Sequence, residues 1–240
     1  MNYVAFSGGK DSTALVLRLA ELGESFECLF TPTLDELPNL TEHVECIVRA
    51  VDRKIHYPQG PKLIELIQKY NALPNHRQRW CTRQIKIEPC ISFLQAQSDP
   101  TLSVGLRADE EEREGLYGPF AKYRYPLREW GWGLPEVWAY LRERGIKVPE
   151  RTDCGCCYGQ RLSEWWRLWR KYPDRWAQYE ALEAQTGHTF RSPSRDTWPA
   201  ALKDLRARFE AGDTPRGVDV TNLFAEDCET SPAACRVCRF

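Results

Sequence analysis

Residues 2–22 read NYVAFSGGKDSTALVLRLAEL, and this stretch decides the fold. A short apolar run at residues 3–6 predicts a buried strand, and apolar residues at helical spacing from residue 15 to residue 22 predict an amphipathic helix. Between them lies the loop Ser7-Gly8-Gly9-Lys10-Asp11-Ser12. The order strand, glycine loop, helix is the arrangement in which a helix N-terminus binds an anion.

The composition of this loop predicts that it binds a chain of phosphates. Two consecutive glycines let an anion approach the backbone N–H groups closely. A lysine adds positive charge, and two serines add hydroxyl donors and a helix cap. An ordinary glycine-rich turn between strand and helix is the alternative. We predict that the six loop residues bind a nucleotide and that the lysine also acts in catalysis: Ser7, Gly8, Gly9, Lys10, Asp11 and Ser12.

The overall composition is that of a globular protein with one unusual feature. The 240 residues include 42% hydrophobic and 28% charged side chains, and a formal net charge of −1 gives no general attraction for nucleic acid. No apolar stretch reaches the roughly 20 residues that span a bilayer, and no signal-peptide pattern is present, so we expect a cytoplasmic protein without a membrane partner. The ten cysteines are the unusual feature, and they indicate metal binding or redox chemistry rather than disulfides.

Strand and helix patterns alternate along the first part of the chain. Apolar runs at residues 26–31, 53–57 and 103–105 predict three further strands, with helical patterns at residues 39–50 and 61–70 between them. The alternation favours an α/β fold with a doubly wound, mainly parallel sheet over residues 1–150. We expect a second, helical and cysteine-rich region over residues 151–240.

Two carboxylates follow the second predicted strand. Asp35 and Glu36 are expected at the carboxyl edge of the sheet, where open α/β folds bind ligands. Either could meet a ribose hydroxyl or Mg²⁺. A solvated loop ahead of a helix is the alternative.

A cysteine among basic residues follows in HRQRWCTRQIKIEP, residues 76–89. Nearby cations lower the pKa of a thiol, so Cys81 is a candidate catalytic thiolate. The surrounding cations Arg79, Arg83 and Lys86 are also candidates for binding the phosphate or sulfate of a nucleotide. A basic helix start that faces water is the structural alternative.

A third charged segment, VGLRAD at residues 104–109, follows the fourth predicted strand. Its position brings Arg107 and Asp109 toward the sheet edge that also carries Lys10. We predict that Arg107 contacts the phosphates or the adenylate, and that Asp109 binds Mg²⁺ or acts as a general base.

Two Cys-x-x-Cys pairs, Cys154 with Cys157 and Cys235 with Cys238, lie far apart in the sequence. Four thiolates suit a tetrahedral Zn²⁺ or a [4Fe–4S] cluster, and a redox dithiol is a third interpretation. Three other cysteines are possible substitutes as ligands: Cys81, Cys156 and Cys228. Three more lie in apolar patterns and are predicted to be buried packing residues: Cys28, Cys46 and Cys90.

Tryptophans crowd into the second half of the chain, where residues 162–172 and 175–186 are predicted to be helical. Trp165, Trp166, Trp169 and Trp176 alternate there with arginines. We favour a small helical core with buried tryptophans, and a platform on which nucleic-acid bases stack is the alternative.

Taken together, these motifs resemble a known superfamily. SGGKDS resembles the PP-loop of the ATP pyrophosphatases, which use ATP to adenylate a substrate and release pyrophosphate. RWCTxxxKxxP, GLRADE and YPLREW at residues 125–130 resemble the phosphoadenosine phosphosulfate (PAPS) reductase family in its broad sense. The resemblance implies a PP-loop fold over about residues 2–185. Relatives such as the ATP-using subunit of DNA phosphorothioation systems often carry an iron–sulfur cluster, so the resemblance favours a [4Fe–4S] cluster over Zn²⁺.

Three functions are compatible with this resemblance. The first is an enzyme that uses ATP and Mg²⁺ to adenylate an acceptor, with a sulfur donor or thiol reductant and a possible nucleic-acid acceptor as partners. The second is a sulfonucleotide reductase that acts on PAPS or its relative APS. The third is a non-catalytic, metal-stabilised module that binds a nucleotide or nucleic acid. The complete loop with Lys10 favours the first, since the ligand of the reductases has no β- and γ-phosphates.

Overall fold

The computed structural model describes residues 1–110 and 120–218. In the described ranges, five parallel strands form one sheet in the order β3-β2-β1-β4-β5. The strands are β1 Asn2–Ala5, β2 Glu27–Leu29, β3 Ile55–His56, β4 Thr101–Ser103 and β5 Lys122–Arg124. The predicted parallel α/β fold is confirmed.

The central strand β1 marks the point where the strand order reverses. The chain leaves β1 toward β2 on one side and later returns to β4 on the other, with Val4 paired to Ser103. In open parallel sheets, a ligand crevice opens at the carboxyl ends of the two strands that flank such a reversal. The glycine loop follows β1 and the VGLRAD segment follows β4. The topology therefore brings the predicted phosphate-binding residues to one edge.

Helices cover both faces of the sheet. Those of the first part are α1 Lys10–Glu21, α2 Pro38–Ala50, α3 Leu63–Tyr70, α4 Glu88–Gln95, α5 Pro126–Glu129 and α6 Leu134–Glu143. Leu15, Leu19 and Leu141 are fully buried in a core that joins α1, α2 and α6 to one face. On the other face, Leu94 of α4 packs with Leu102 of β4. None of the helices in the described ranges has the length and apolar character that a membrane crossing needs.

A π-helix, Thr82–Ile87, follows Cys81 directly and continues into α4. The sequence gives a reason, because Pro89 has no N–H to donate to the carbonyl of Ile85 four residues earlier. Gly60 approaches this segment closely, and a Cβ added there would lie 3.1 Å from the Ile85 carbonyl oxygen. Short π-helical turns occur frequently at functional sites.

The second part of the chain contributes α7 Leu162–Lys171, α8 Pro173–Thr186 and α9 Leu202–Glu210. Trp165, Trp166 and Trp176 are at most 4% exposed, so the prediction of a helical tryptophan core is confirmed. The same core includes Leu63 and Ile67 of α3. The boundary at residue 150 stays a prediction, since this core joins side chains from before and after it.

Cys28 and Cys90 are buried, as predicted, but Cys46 is exposed. The prediction for Cys46 was wrong because this residue of α2 lies on the side of the helix opposite the stripe of buried residues that includes Val44 and Ile47. Cys46 therefore has no packing role.

Candidate functional site

The glycine loop makes a left-handed turn into the N-terminus of α1. Gly8 has a φ of +74°, and a Cβ there would lie 2.5 Å from Leu40 Cδ1 and 2.9 Å from Val44 Cγ2. Because α2 packs directly against the loop and φ is positive, only glycine fits at this position. Gly9 is the N-cap of α1, and the first N–H groups of a helix have no partner within it. These N–H groups can bind an anion.

Two hydroxyls hold the loop in shape. Ser12 Oγ accepts a 3.2 Å hydrogen bond from the Ser7 N–H, lies 3.1 Å from Ser7 Oγ and donates to the Gly9 carbonyl at 3.1 Å. Ser7 is exposed, whereas Ser12 is buried. Ser12 therefore braces the loop, and Ser7 lies at its rim.

Two cations meet at one carboxylate beside the loop. Lys10, which is only 4% exposed, and Arg107 both lie 3.0 Å from Asp11 Oδ2. The acidic partners of Arg107 outweigh its burial and raise the pKa of its guanidinium. The other carboxylate oxygen, Asp11 Oδ1, is buried and has no hydrogen-bond partner within the described ranges. A carboxylate oxygen without a partner is of the kind that binds Mg²⁺.

Asp109 lies behind Arg107. Its Oδ1 accepts from Arg107 Nε at 2.8 Å, and its Oδ2 accepts from the Leu134 N–H at 3.1 Å, so it caps α6. Burial raises the pKa of the Asp109 carboxyl, but these hydrogen bonds outweigh burial and hold it below its usual value. Asp109 positions Arg107, and its role as a Mg²⁺ ligand or base stays a prediction.

Gly105 lets the loop after β4 reach α1. A Cβ added to Gly105 would lie 3.2 Å from the Ser12 nitrogen and 3.3 Å from the Asp11 carbonyl carbon. The two backbones therefore touch here, which places Arg107 beside the glycine loop. Gly105 was not among the site residues predicted from the sequence, although its place two residues before Arg107 was a usable signal.

Asp35 binds the cysteine loop, which we define as residues 151–160. Its Oδ1 accepts from the Tyr179 hydroxyl at 2.7 Å, its Oδ2 from the Cys156 N–H at 3.2 Å, and its carbonyl from the Gly155 N–H at 2.7 Å. Burial raises the pKa of this carboxyl, and the bonds from Tyr179 and Cys156 act against that rise. Both oxygens are thus engaged inside the protein. The predicted contact of Asp35 with ribose or Mg²⁺ stays a prediction.

Arg151 holds the cysteine loop from the other side. It is 8% exposed, donates to the Cys154 carbonyl and to Gln160 Oε1, each at 2.8 Å, and pairs with Asp153 at 2.9 Å. Gln160 in turn donates to the Gly155 carbonyl at 2.5 Å. Donors on one side and Asp35 on the other fix the backbone that carries the cysteines.

Three cysteines line one cavity. Cys81, at the start of the π-helix, faces the same space as Cys154 and Cys157 of the cysteine loop. The cavity has seven other lining residues: Thr33, Leu63, Pro74, Thr82, Lys86, Asp153 and Tyr158. The structure therefore joins the lone cysteine to the first Cys-x-x-Cys pair. The predicted ligands Cys235 and Cys238, and the substitute Cys228, lie outside the described residues.

A second set of donors shares Cys154. The sulfurs of Cys154 and Cys156 and a carboxylate oxygen of Asp35 lie within 4.8 Å of one another. Cys156 is fully buried, and Asp35 already accepts two hydrogen bonds. This set is compact enough for a single Zn²⁺.

The pKa values of the three cavity thiols, Cys81, Cys154 and Cys157, all lie above the usual value for a cysteine. Burial raises the pKa of Cys81, although Lys86 and Arg79 lower it to a smaller extent. The predicted low pKa was therefore wrong, since desolvation outweighs the nearby cations. Arg83 is 77% exposed at its side chain and pairs with Glu88 at 2.8 Å, away from the thiol. A metal would be needed to deprotonate these thiols.

The cysteine loop and the glycine loop are neighbours. A Cβ added to Gly9 would lie 3.6 Å from both Oγ1 and Cγ2 of Thr152. Thr152 is followed by Asp153 and Cys154. The glycine loop therefore adjoins the loop that carries the cysteines.

Residues 1–157 match the family model of the phosphoadenosine phosphosulfate reductase domain. The chain belongs to the PAPS reductase family. The predicted resemblance and PP-loop-type fold are thereby confirmed.

Two uncharacterized proteins of Methanocaldococcus jannaschii are similar to this PAPS reductase family member. They are 30% identical over 193 residues and 23% identical over 224 residues. The matches cover 74% and 86% of this chain but only 40% and 54% of those proteins. The chain thus spans about half the length of these curated relatives.

Solved structures with a similar fold include a PAPS reductase from Candida auris in a phosphate complex. It has a TM-score of 0.50 and 18% identity, and the match covers 61% of this chain and 74% of that one. The U34-tRNA thiolase NcsA from Methanococcus maripaludis, with its [4Fe-4S] cluster, has a TM-score of 0.47 and 15% identity, covering 100% of this chain and 80% of that one. The likeness to the reductase shows a shared fold.

Proposed function

We propose that this PAPS reductase family member is an ATP pyrophosphatase that adenylates an acceptor and takes part in transferring sulfur to it. The observation that carries the proposal is the complete glycine loop with buried Lys10 and Arg107 on one carboxylate oxygen of Asp11. Two cations at a helix N-terminus suit a triphosphate. The ligand of a sulfonucleotide reductase has no β- and γ-phosphates for these two cations to bind.

In the proposed reaction, the free N–H groups at the start of α1 hold the phosphate chain of ATP. An acceptor oxygen attacks the α-phosphorus, the bond from that phosphorus to the bridging oxygen breaks, and pyrophosphate leaves. Lys10 and Arg107 turn from Asp11 to the phosphate oxygens and offset the charge on the leaving pyrophosphate. The unpaired Asp11 Oδ1 fits a Mg²⁺ ligand, and Mg²⁺ bound there would neutralise further phosphate charge.

Sulfur then displaces AMP from the adenylated acceptor. The cavity with Cys81, Cys154 and Cys157 supplies the thiol end of the site, next to the glycine loop. Three thiols facing one space fit an iron–sulfur cluster, with the predicted Cys235 and Cys238 as further candidate ligands. When bound, such a cluster would supply a metal site for sulfur or electrons. Zn²⁺ on Asp35, Cys154 and Cys156 is the alternative.

A sulfonucleotide reductase is the second candidate, because the matching family model describes the PAPS reductase domain. One experiment separates the candidates. Anaerobically purified protein is given ATP, Mg²⁺ and sulfide with bulk tRNA or duplex DNA as acceptor, and in parallel PAPS with dithiothreitol. We expect pyrophosphate from ATP and no sulfite from PAPS. Sulfite without pyrophosphate would establish the reductase, and neither product would favour the non-catalytic module.

A further inference from the structure

Thr152 presents a hydroxyl to the glycine loop from a different part of the chain. Seen from the position that a Cβ of Gly9 would occupy, Ser7 Oγ is 3.5 Å away and Thr152 Oγ1 is 3.6 Å away. Ser12 Oγ lies a further 3.1 Å from Ser7 Oγ. Three hydroxyls thus surround Gly9, two from the loop itself and one from the cysteine loop.

The position of Thr152 is fixed by its neighbours. Arg151, directly before it, is buried and hydrogen-bonds the Cys154 carbonyl. Cys154, shortly after it, forms an antiparallel bridge with Glu36. Thr152 itself is only half-buried, and its hydroxyl makes no hydrogen bond with another described residue. A hydroxyl held in place beside the glycine loop, without a partner among the described residues, is available to a ligand.

We propose that Thr152 is a third hydroxyl of the phosphate site and donates a hydrogen bond to the phosphate chain of the bound nucleotide. This inference rests on the proposed function, because it needs the glycine loop to hold ATP. It adds that the nucleotide contacts the cysteine loop directly. A nucleotide that touches both loops couples them. A conformational equilibrium of the cysteine loop that changes nucleotide affinity by some factor is itself shifted by nucleotide binding by the same factor.

The test is calorimetric titration of the metal-loaded 240-residue chain with Mg²⁺ and α,β-methylene-ATP, which resists cleavage at the α-phosphorus. Thr152→Val keeps the shape of the side chain and removes the hydroxyl, and Thr152→Ser keeps the hydroxyl. Because a hydrogen bond to a charged group is lost, we expect Thr152→Val to weaken binding about tenfold. Thr152→Ser should bind within about threefold of wild type, and all proteins should share one unfolding midpoint.

The outcomes of this titration distinguish a failure of this inference from a failure of the proposed function. Wild-type affinity in Thr152→Val would overturn the role of the hydroxyl, and so would equal losses in Val and Ser variants, which would indicate packing against Gly9 instead. Lys10→Ala serves as the reference for the phosphate site. If wild type does not bind the analogue, or if Lys10→Ala binds it equally well, the triphosphate site itself is overturned, and the inference with it.

Discussion

Arg107 lies 3.0 Å from Asp11, although 96 residues separate them in the sequence. The contact joins the loop after β4 to the first turn of α1, across the point where the strand order reverses. Lys10 reaches the same oxygen, so both cations already have an anionic partner. In the proposed ATP complex the two cations exchange Asp11 for phosphate oxygens, and the proposed Mg²⁺ takes their place beside the Asp11 carboxylate.

Gly8→Ala should destabilise the protein more than Gly23→Ala. Both glycines have positive φ, +74° and +70°, so each alanine meets similar backbone strain. A Cβ at Gly8 collides with Leu40 and Val44, whereas nothing lies within 4 Å of one at Gly23. We expect Gly8→Ala to lose about 1–3 kcal/mol more in the free energy of unfolding, measured in urea. Equal losses would show that α2 does not pack against the loop.

Gly155→Ala should disturb the link between Asp35 and α8. A Cβ at Gly155 would lie 2.2 Å from the Tyr179 hydroxyl, so the tyrosine must move away from Asp35. Tyr179→Phe removes the colliding oxygen but also a hydrogen bond to a buried carboxylate, and we expect each single variant to lose about 1–3 kcal/mol of stability. The double variant should lose clearly less than the sum. Strict additivity in urea unfolding would contradict this geometry.

The bound metal should depend on the cavity cysteines. Cys81→Ser, Cys154→Ser and Cys157→Ser are each expected to lower the iron and sulfide content of anaerobically purified protein, because each removes a thiol from the cavity. Cys46→Ser, at an exposed position, is the matched control and should retain the wild-type content.

Cys156→Ser separates the two donor sets in the same measurement. An iron–sulfur cluster on the cavity thiols should survive this change. A colourless protein that contains zinc, and loses it with Cys156→Ser but not with Cys81→Ser, would place the metal on the Asp35 set instead.

Glu183 should make the protein less stable as the pH rises toward neutrality. Burial raises the pKa of Glu183 to about 7, although the N–H groups of Leu202 and Phe190 favour its charged form. The folded state then binds this proton more tightly than the unfolded state, whose carboxyl titrates near 4.5. Stability from this group is present below pH 4.5 and is lost as the pH rises through 7.

Glu183→Gln removes this titration. Relative to that variant, wild type should lose about 3 kcal/mol in the free energy of unfolding between pH 4.5 and pH 8. Urea unfolding of both proteins across this range is the check. Parallel stability profiles for wild type and variant would contradict a raised pKa.

The sequence predicted the elements that depend on local pattern. Apolar runs and helical spacing identified β1, α1 and the helices that carry Trp165 and Trp176, because burial of one face imposes a period on the sequence. The strand β5, Lys122–Arg124, was missed. It is short and lies at the sheet edge, where two of its three residues are charged, so it has no apolar run to recognise.

Which residues form the site could not be predicted from the sequence, because they are distant along the chain and their chemistry depends on burial. The cations near Cys81 can be read from the sequence, but the burial of its thiol cannot. That burial raises the pKa of Cys81, whereas the cations alone would lower it. Asp35 follows a strand, as a nucleotide ligand does, yet Tyr179 of α8 binds it. Nothing local signals a partner that far along the chain. Thr152 belongs to no recognisable sequence motif and is identified only by its closeness to Gly9 in the structure.

The identity of the products formed from ATP tests the central claim most directly. Anaerobically purified protein is incubated with ATP, Mg²⁺, sulfide and bulk tRNA or duplex DNA, and the phosphorus species are followed by ³¹P NMR, with Lys122→Ala and Lys10→Ala as exposed and buried lysine variants. Cleavage at the α-phosphorus predicts AMP and pyrophosphate in equal amounts from wild type and Lys122→Ala, and neither from Lys10→Ala. ADP with inorganic phosphate, or equal turnover by Lys10→Ala, would contradict the account.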